Sequence, residues 1–511
     1  MAKNDNLTDF LADVANAIRE KKGTTDLINP QDFSAEIASI ETGGGGESGG
    51  GGGAAATAGA VNFRDYDGTI LHSFGKDEFL AMTELPELPT QAGLICQGWN
   101  WTMSEALDYV QKYGNLEIGA TYITEDGKTR LYVSIPSNGV TLPLYWYQSK
   151  ENGVLIDWGD GSPTTSMSAK SYINTTHTYA NKGDYIITMQ VLDGTALLGK
   201  GNQYYCVLGD VSSGYADRVF ANMLTKVEIG EKMNLGTYGL QYCRGLSTIT
   251  ISESVNSTSR TFQYTSNLRY VVLPRTCKTL NGNDFFYCYG LRNVSLPPSV
   301  TTISAKAFAY CYSLQSINLP PLITAINDNT FSDCFSLSSV TIPQGCTMIN
   351  SYAFNYCRSL SSVIIPNGVT TIGAYAFQYC SSLSSVEMPE SVTSLLTYAF
   401  YMCESLNSIR LSSGISTINE YTFAYNSVKK FVIPSSVTRI SANAFAYDRF
   451  TACFDFRAST AVPTLENTSG FAGIVANTKI VVPDSLFDSW VAASNWSTYA
   501  SKIVKASAYN G

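Results

Sequence analysis

Histidine is almost missing from this sequence: His72 and His177 are the only two in 511 residues. Beyond residue 177 no Ser-His-Asp or Cys-His arrangement has a base to work with. The chain also lacks a Gly-x-x-x-x-Gly-Lys-Ser/Thr loop and a His-Glu-x-x-His helix, so phosphate-cradling and zinc-hydrolase chemistry have no foothold. Charge is scarce. Charged residues are 15% of the chain, against about 25% in an average soluble protein. With a net charge of −9 and no basic run, nothing is placed to neutralise nucleic-acid phosphates. No apolar run approaches the ~20 residues of a membrane span. The start, Met1-Ala2-Lys3-Asn4-Asp5-Asn6, has neither the apolar core nor the small-residue cleavage site of a secretory signal. The expectations are a non-enzyme without cofactor or metal, made in the cytoplasm and not inserted in a membrane.

What the chain has instead is a period. Cysteines stand at 288, 311, 334, 357, 380 and 403, each 23 residues after the last. Phenylalanine precedes each by three residues (Phe285, Phe308, Phe331, Phe354, Phe377, Phe400), and leucine follows each by three (Leu291 through Leu406). Then comes a short alternating run closed by proline, as in Val340-Thr341-Ile342-Pro343 and Val363-Ile364-Ile365-Pro366. A fixed period in the twenties is the signature of a solenoid, whose rungs bury an apolar face only by stacking on each other. The Phe-x-x-Cys-x-x-Leu spacing predicts a short helix on one side of each rung. The Val-x-Ile-Pro run predicts a strand that proline ends. Upstream, Leu240-Gln241-Tyr242-Cys243 and Phe262-Gln263-Tyr264-Thr265 keep the pattern; downstream, Asn426 and Asp448 replace the cysteine. About ten rungs are expected between Thr237 and Arg457.

The total of twelve cysteines admits disulfides, but no Cys-x-x-Cys pair of zinc-site spacing is present. Reduced thiols acting as small buried hydrophobes are the expectation. Tyrosine forms two rows at fixed places in the rungs. One row, beside the cysteines, includes Tyr310, Tyr356 and Tyr379; the other is Tyr352, Tyr375, Tyr398 and Tyr421. Tyrosine combines apolar area, a polar tip and few rotors, which suits recognition of a glycan or protein surface. The competing reading is half-buried packing on one side of each rung.

The pattern read from Ala353 to Ile372 and from Ala376 to Leu395 resembles BspA-like leucine-rich repeats. That resemblance implies adhesion and recognition rather than catalysis. The string Val481 to Val504 is similar to the C-terminal caps of such repeats, with Trp490 and Trp496 as cap core.

Ahead of the repeats the chain divides further. Residues 1–42 carry two apolar helical stripes, Phe10, Leu11, Val14 and Ile18, then Phe33 and Ile37, too small to fold alone and suited to anchoring on a partner. They resemble the N-terminal segments of phage and prophage tail or baseplate proteins. Residues 43–59 are a glycine-rich tether. Residues 60–135 read as an α+β module with a helix over 104–113 and a last strand at 129–135. Trp99 and Trp101 ahead of that helix are either a ligand platform or packing. Residues 136–209 read as a β-sandwich: Asp157-Trp158-Gly159-Asp160-Gly161, His177-Thr178-Tyr179 and Gly183-Asp184-Tyr185 resemble the PKD-type immunoglobulin-like fold. The solenoid spans 210–457 and a cap 458–511. The expected partners are tail or baseplate proteins through residues 1–42 and a host-surface glycan or protein through the solenoid, with a homotrimer as an open option. The expected location is the virion, with the cell surface as the alternative.

Overall fold

The computed structural model describes residues 60–199, 205–210, 219–255 and 258–509. The two-helix segment, with its candidate anchoring residues Phe10, Leu11, Val14, Ile18, Phe33 and Ile37, lies outside them, as does the glycine tether.

Strands β1 (Ala60–Arg64), β2 (Ile70–Gly75), β3 (Leu94–Trp99) and β4 (Leu116–Thr124) form one sheet in the order β2-β1-β4-β3, with the short helix α1 (Lys76–Leu80) following β2. The helix α2 (Met103–Tyr113) starts at a capping box: the Thr102 hydroxyl accepts from Glu105 N–H, and the Glu105 carboxylate accepts from Thr102 N–H. That exchange satisfies two donors that a helix start leaves orphaned. Ala106, Tyr109 and Val110 are its buried face. Leu116 to Thr124 is one continuous strand.

The strand expected to complete this sheet does not join it. β5 (Thr129–Ile135) pairs instead with β10 (Gly183–Val191) on one side and with Leu224–Glu228 on the other. It therefore belongs to a six-stranded sheet that also holds β7 (Val154–Asp157) and β8 (Thr165–Ser166). A second sheet contains β6 (Val140–Gln148), β9 (Ser171–Tyr179) and β11 (Ala196–Leu198). Period-two burial along β5 and β6 places Leu131, Val133, Ile135, Leu142, Leu144 and Trp146 in a shared core.

Leu224–Glu228 also pairs in parallel with Thr248–Thr250. The six-stranded sheet thus runs straight into the solenoid and covers the edge that a first rung would otherwise expose. From there ten strands follow at rung spacing, from Thr248–Thr250 to Cys453–Asp455, continued by Lys479–Val482 and Ile503–Lys505. The stack reaches about 12 turns, so the ten expected rungs are present and the stacking goes on past both expected ends. A second parallel ladder runs through two-residue strands such as Thr371–Ile372 and Ser394–Leu395.

The rung contains no helix. Between Asn350 and Cys357 the amides alternate. Ala353, Asn355 and Cys357 N–H donate three residues back, to Asn350, Tyr352 and Phe354 C=O, at 3.1–3.3 Å. Tyr352, Phe354 and Tyr356 N–H donate across to the next rung, to Ala374, Ala376 and Gln378 C=O, at 2.8–2.9 Å. An α-helix would turn every amide inward. Here Tyr352 and Tyr356 both have φ of +58°, which breaks helical continuity and frees alternate amides for the neighbour. The expected α/β rung is therefore an all-β one, and the molecule is mostly β.

The C-terminal end is closed by aromatic packing. Trp490, on the helix Phe487–Ala492, and Trp496 are buried, 5.3 Å apart centroid to centroid, and both stand edge-on to Phe456.

Candidate recognition surface

The solenoid interior is a column of phenylalanines. Phe262, Phe285, Phe308, Phe331, Phe354, Phe377, Phe400, Phe423 and Phe445 are all fully buried. Adjacent rings are near-parallel at 5.1–5.9 Å, from Phe262–Phe285 to Phe423–Phe445. Beside it runs the cysteine column. All twelve cysteines are free, and every one in the solenoid is buried. Each repeat thiol reaches a phenylalanine carbonyl one rung back: Cys288 Sγ to Phe262 O (2.9 Å), Cys357 Sγ to Phe331 O (3.1 Å), Cys403 Sγ to Phe377 O (3.1 Å). Each S–H group takes the second lone pair of a carbonyl that already accepts an amide three residues on: Thr265 N–H at Phe262 O, Cys334 N–H at Phe331 O and Cys380 N–H at Phe377 O. Burial pushes the thiols of Cys288, Cys334, Cys357 and Cys380 far up, so they are unreactive packing groups.

Where the column loses cysteine, its replacements also reach one rung back, but as acceptors of an amide rather than donors to a carbonyl. Asn426 Oδ1 accepts from Cys403 N–H (3.1 Å), and Asp448 Oδ1 accepts from Asn426 N–H (2.8 Å). Asp448 is fully buried, its Oδ2 has no partner, and burial pushes its pKa well up. The folded state therefore holds this proton above the pH at which the unfolded chain, near the ordinary value of ~3.9, releases it. The stabilisation is complete below that value and is lost as pH climbs toward the folded pKa. Asp448→Asn keeps the acceptor and removes the ionisation. Thermal melts should show the variant several degrees above the parent at pH 7 and the two converging as pH falls to 4.

The tyrosine rows lie on the outside of this turn, and every member sits in left-handed backbone. Tyr352, Tyr375, Tyr398 and Tyr421 have φ of 52–60°, and Tyr310, Tyr356 and Tyr379 have φ of 58–63°. All seven are half-buried. Tyr352–Tyr375, Tyr375–Tyr398 and Tyr398–Tyr421 stack at 4.6–4.7 Å with planes within 16°. Tyr287–Tyr310 and Tyr356–Tyr379 do the same at 4.3 and 4.4 Å. Ring faces are thus spent on each other. What each row offers to solvent is a line of edges and hydroxyl tips at rung spacing, with faces free only where a row ends. A third, shorter stack beside them is Tyr289, Tyr312 and Phe335, finished by the Arg358 guanidinium 5.2 Å from the Phe335 ring.

The outward strand face is divided. On its first rungs the α+β module is seated. Asn100, fully buried, places Nδ2 3.1 Å from Leu273 O and 3.2 Å from Ser295 O, while its Oδ1 accepts from Gly119 N–H at 2.9 Å. Trp101 Nε1 donates to Leu296 O (2.9 Å) and Tyr109 hydroxyl to Leu319 O (3.1 Å). Gly119 lies so close that a Cβ there would stand 2.5 Å from Val272 Cγ2. Three donors of the module thus read the same carbonyl on successive rungs. Trp99 donates to Pro86 O at 3.0 Å and is buried, so Trp99 and Trp101 are packing and docking residues, not an open platform. The sequence reading picked out the tryptophans and passed over Asn100, which stands between them. On later rungs the same face is open, with Ile364 71% and Val432 57% exposed.

In the sandwich, Asp157 Oδ1 accepts from Gly159 N–H and Asp160 Oδ1 from Ser162 N–H, the side-chain bonds that such a turn asks for. Asp160 Oδ2 pairs with His177 Nε2 at 2.7 Å, and His177 stacks on Trp158 at 4.7 Å. Although desolvation pushes it up, the bonds from Ser162 and His177 hold Asp160 down to about 2.

Stacked turns, two parallel ladders and an aromatic core column define a leucine-rich-repeat-type solenoid. Residues 216–337 and 324–451 match the BspA type Leucine rich repeat region. Among solved structures it is similar to a leucine-rich repeat protein from Bacteroides ovatus, at 20% identity over 57% of this chain and 86% of that one, TM-score 0.39. It is similar to a leucine rich cell surface protein from Faecalibacterium prausnitzii, at 28% identity over 52% and 76%, TM-score 0.35. The T. pallidum leucine rich repeat protein aligns at 30% identity over 30% and 64%, TM-score 0.25. No curated protein matches the chain. Among the described residues no helix is long and apolar enough to cross a membrane.

Proposed function

We propose that this protein is a non-enzymatic virion component that docks on a phage tail or baseplate through residues 1–42 and presents its repeat arm to a glycan or protein on the host surface. The observation that carries this reading is the pair of in-register tyrosine rows, which repeat one polar tip per rung along the arm. Tyr352, Tyr375, Tyr398 and Tyr421 form the principal contact row, and Tyr310, Tyr356 and Tyr379 the second. The PKD-like sandwich acts as a rigid spacer at the base of the arm. Trimerisation through the anchor would multiply weak single-arm contacts.

Asparagine is the informative substitute. Asn283, Asn329 and Asn443 already occupy the place of Tyr352 in other rungs, with the same left-handed φ. The double change Tyr375→Asn with Tyr398→Asn should cost about 1–3 kcal/mol of unfolding free energy from lost ring stacking, measured in urea, yet abolish attachment to host cells. Attachment at parental level would end the role of the rows in recognition.

A bacterial surface or secreted adhesin is the second reading, favoured by the repeat type itself. It shares the arm and differs at the anchor. Deleting residues 1–42 should remove the protein from purified phage particles, by mass spectrometry, while the remaining chain keeps its cell binding. A protein that never occurs in particles belongs to the second reading.

A further inference from the structure

We propose that the break in the cysteine-side tyrosine row at Asp333 is a binding slot for an alkylammonium group carried by the surface ligand; this rests on the recognition reading above. The row runs Tyr242, Tyr264, Tyr287, Tyr310, then Asp333, then Tyr356 and Tyr379. Asp333 takes the tyrosine's place with the tyrosine's backbone, φ +62°. Tyr310 and Tyr356 are therefore two rungs apart, roughly 10 Å, with no ring of the row between them. A cation midway would lie about 5 Å from each ring, within the ~6 Å over which a cation is drawn to an aromatic face.

The row has one other interruption of this kind, at Met402, and there the gap is closed. Tyr401 stands edge-on to Tyr379 at 5.8 Å and to Tyr425 at 5.6 Å. At the Asp333 break the residue in Tyr401's place is Ser332, small and buried, its hydroxyl 2.7 Å from Asp333 Oδ2. That is the one hydrogen bond the carboxylate makes among the described residues, and no cation among them forms an ion pair with it. Burial, and then the charge of Asp333, push up the phenols of Tyr310 and Tyr312, so the carboxylate is felt by the rings around it. These rings already hold a cation of the chain's own: the Arg358 guanidinium lies 5.2 Å from the Phe335 ring and 5.5 Å from the Tyr356 ring. Burial pushes the Asp333 carboxyl up, and the Ser332 bond and the Arg358 charge draw it part of the way back. A half-buried carboxylate with one hydrogen bond and no ion pair among the described residues, walled by aromatic faces, selects an organic cation over a neutral group of equal size.

The test is a ligand-observed NMR titration of the purified full chain at pH 7. The probes are tetramethylammonium, n-butylammonium and tert-butanol, the last a neutral group of similar shape to the first. At least one cation should saturate at concentrations where tert-butanol shows no binding. Asp333→Asn should weaken that cation at least tenfold. Asp333→Tyr, on a backbone that carries tyrosine in neighbouring rungs, should fill the slot, abolish binding and leave the melting transition cooperative. The tighter cation tells a quaternary headgroup from a primary amine. Equal binding of tert-butanol, or cation binding unchanged in either variant, overturns the slot. The recognition reading is decided separately, because Tyr375→Asn with Tyr398→Asn leaves the slot intact: attachment that survives that change removes the reading whatever the titration shows.

Discussion

Phe377→Ala is expected to lower the unfolding free energy by about 3–5 kcal/mol, the loss that removal of a fully buried ring brings. Phe377 is fully buried and stacked on both sides, 5.3 Å from Phe354 and 5.2 Å from Phe400. The gap it leaves has little freedom to collapse, because its backbone is tied to both neighbours: Phe354 N–H bonds to Ala376 O and Phe377 N–H to Ala399 O, each at 2.8 Å. In a stack stabilised by nearest-neighbour interfaces, one lost ring weakens two interfaces at once. Urea unfolding followed by circular dichroism measures this, with Ile364→Ala as a control. Ile364 is 71% exposed, so that change should stay within about 0.5 kcal/mol. Equal effects at the two sites would refute a continuous aromatic core.

The second large effect is expected at Asn100. Its removal to alanine strands the Leu273 carbonyl and the Gly119 amide, whereas Ser295 O keeps its bond from Leu273 N–H. Each buried polar group left unpaired costs about 1–3 kcal/mol, so a loss on the order of 4 kcal/mol is expected. It should appear as release of the α+β module from the rungs rather than as unfolding of the repeats. Limited proteolysis is the direct readout: cleavage should speed up in the segments joining the module to the sandwich while residues 258–457 stay resistant. Uniformly faster cleavage, or none, would mean that Asn100 does not hold the module in place. Glu105→Gln, which weakens the half-exposed pair with Arg275, should matter far less, since exposed pairs contribute roughly 0–1 kcal/mol.

Much of the repeat could be read directly from spacing. Phenylalanine, cysteine and leucine three apart, returning every 23 residues, can be buried together only if successive turns lie over each other. The strands at Val340, Val363 and Val386 fall where period two and proline put them. The turn was misread as helical for an equally definite reason. Spacings of three suit an α-helix and also a chain of turns bonded three residues back, and single-sequence periodicity does not distinguish them. The left-handed tyrosines decide between the two, and tyrosine is not a residue that announces a positive φ.

The division between sheets was less legible still. Thr129–Ile135 alternates as well for one sheet as for another, and its partners at Gly183–Val191 and Leu224–Glu228 lie tens of residues away. The seat of the α+β module joins Asn100, Trp101 and Tyr109 to carbonyls at 273, 296 and 319. Backbone carbonyls carry no sequence signature, so nothing at those positions marks them as a docking site.

By itself, then, the order of residues determined that the C-terminal part piles turn on turn, which side chains go inside, and that its thiols are packing groups. These follow from local periodicity and the preference of apolar groups for each other over water. Only the tertiary structure decided that the turns are non-helical, that tyrosine faces are covered by one another, and that a separate module closes the first rungs of the strand face. Each of those depends on which distant backbone atoms come within hydrogen-bonding reach, and that is settled when the rungs stack.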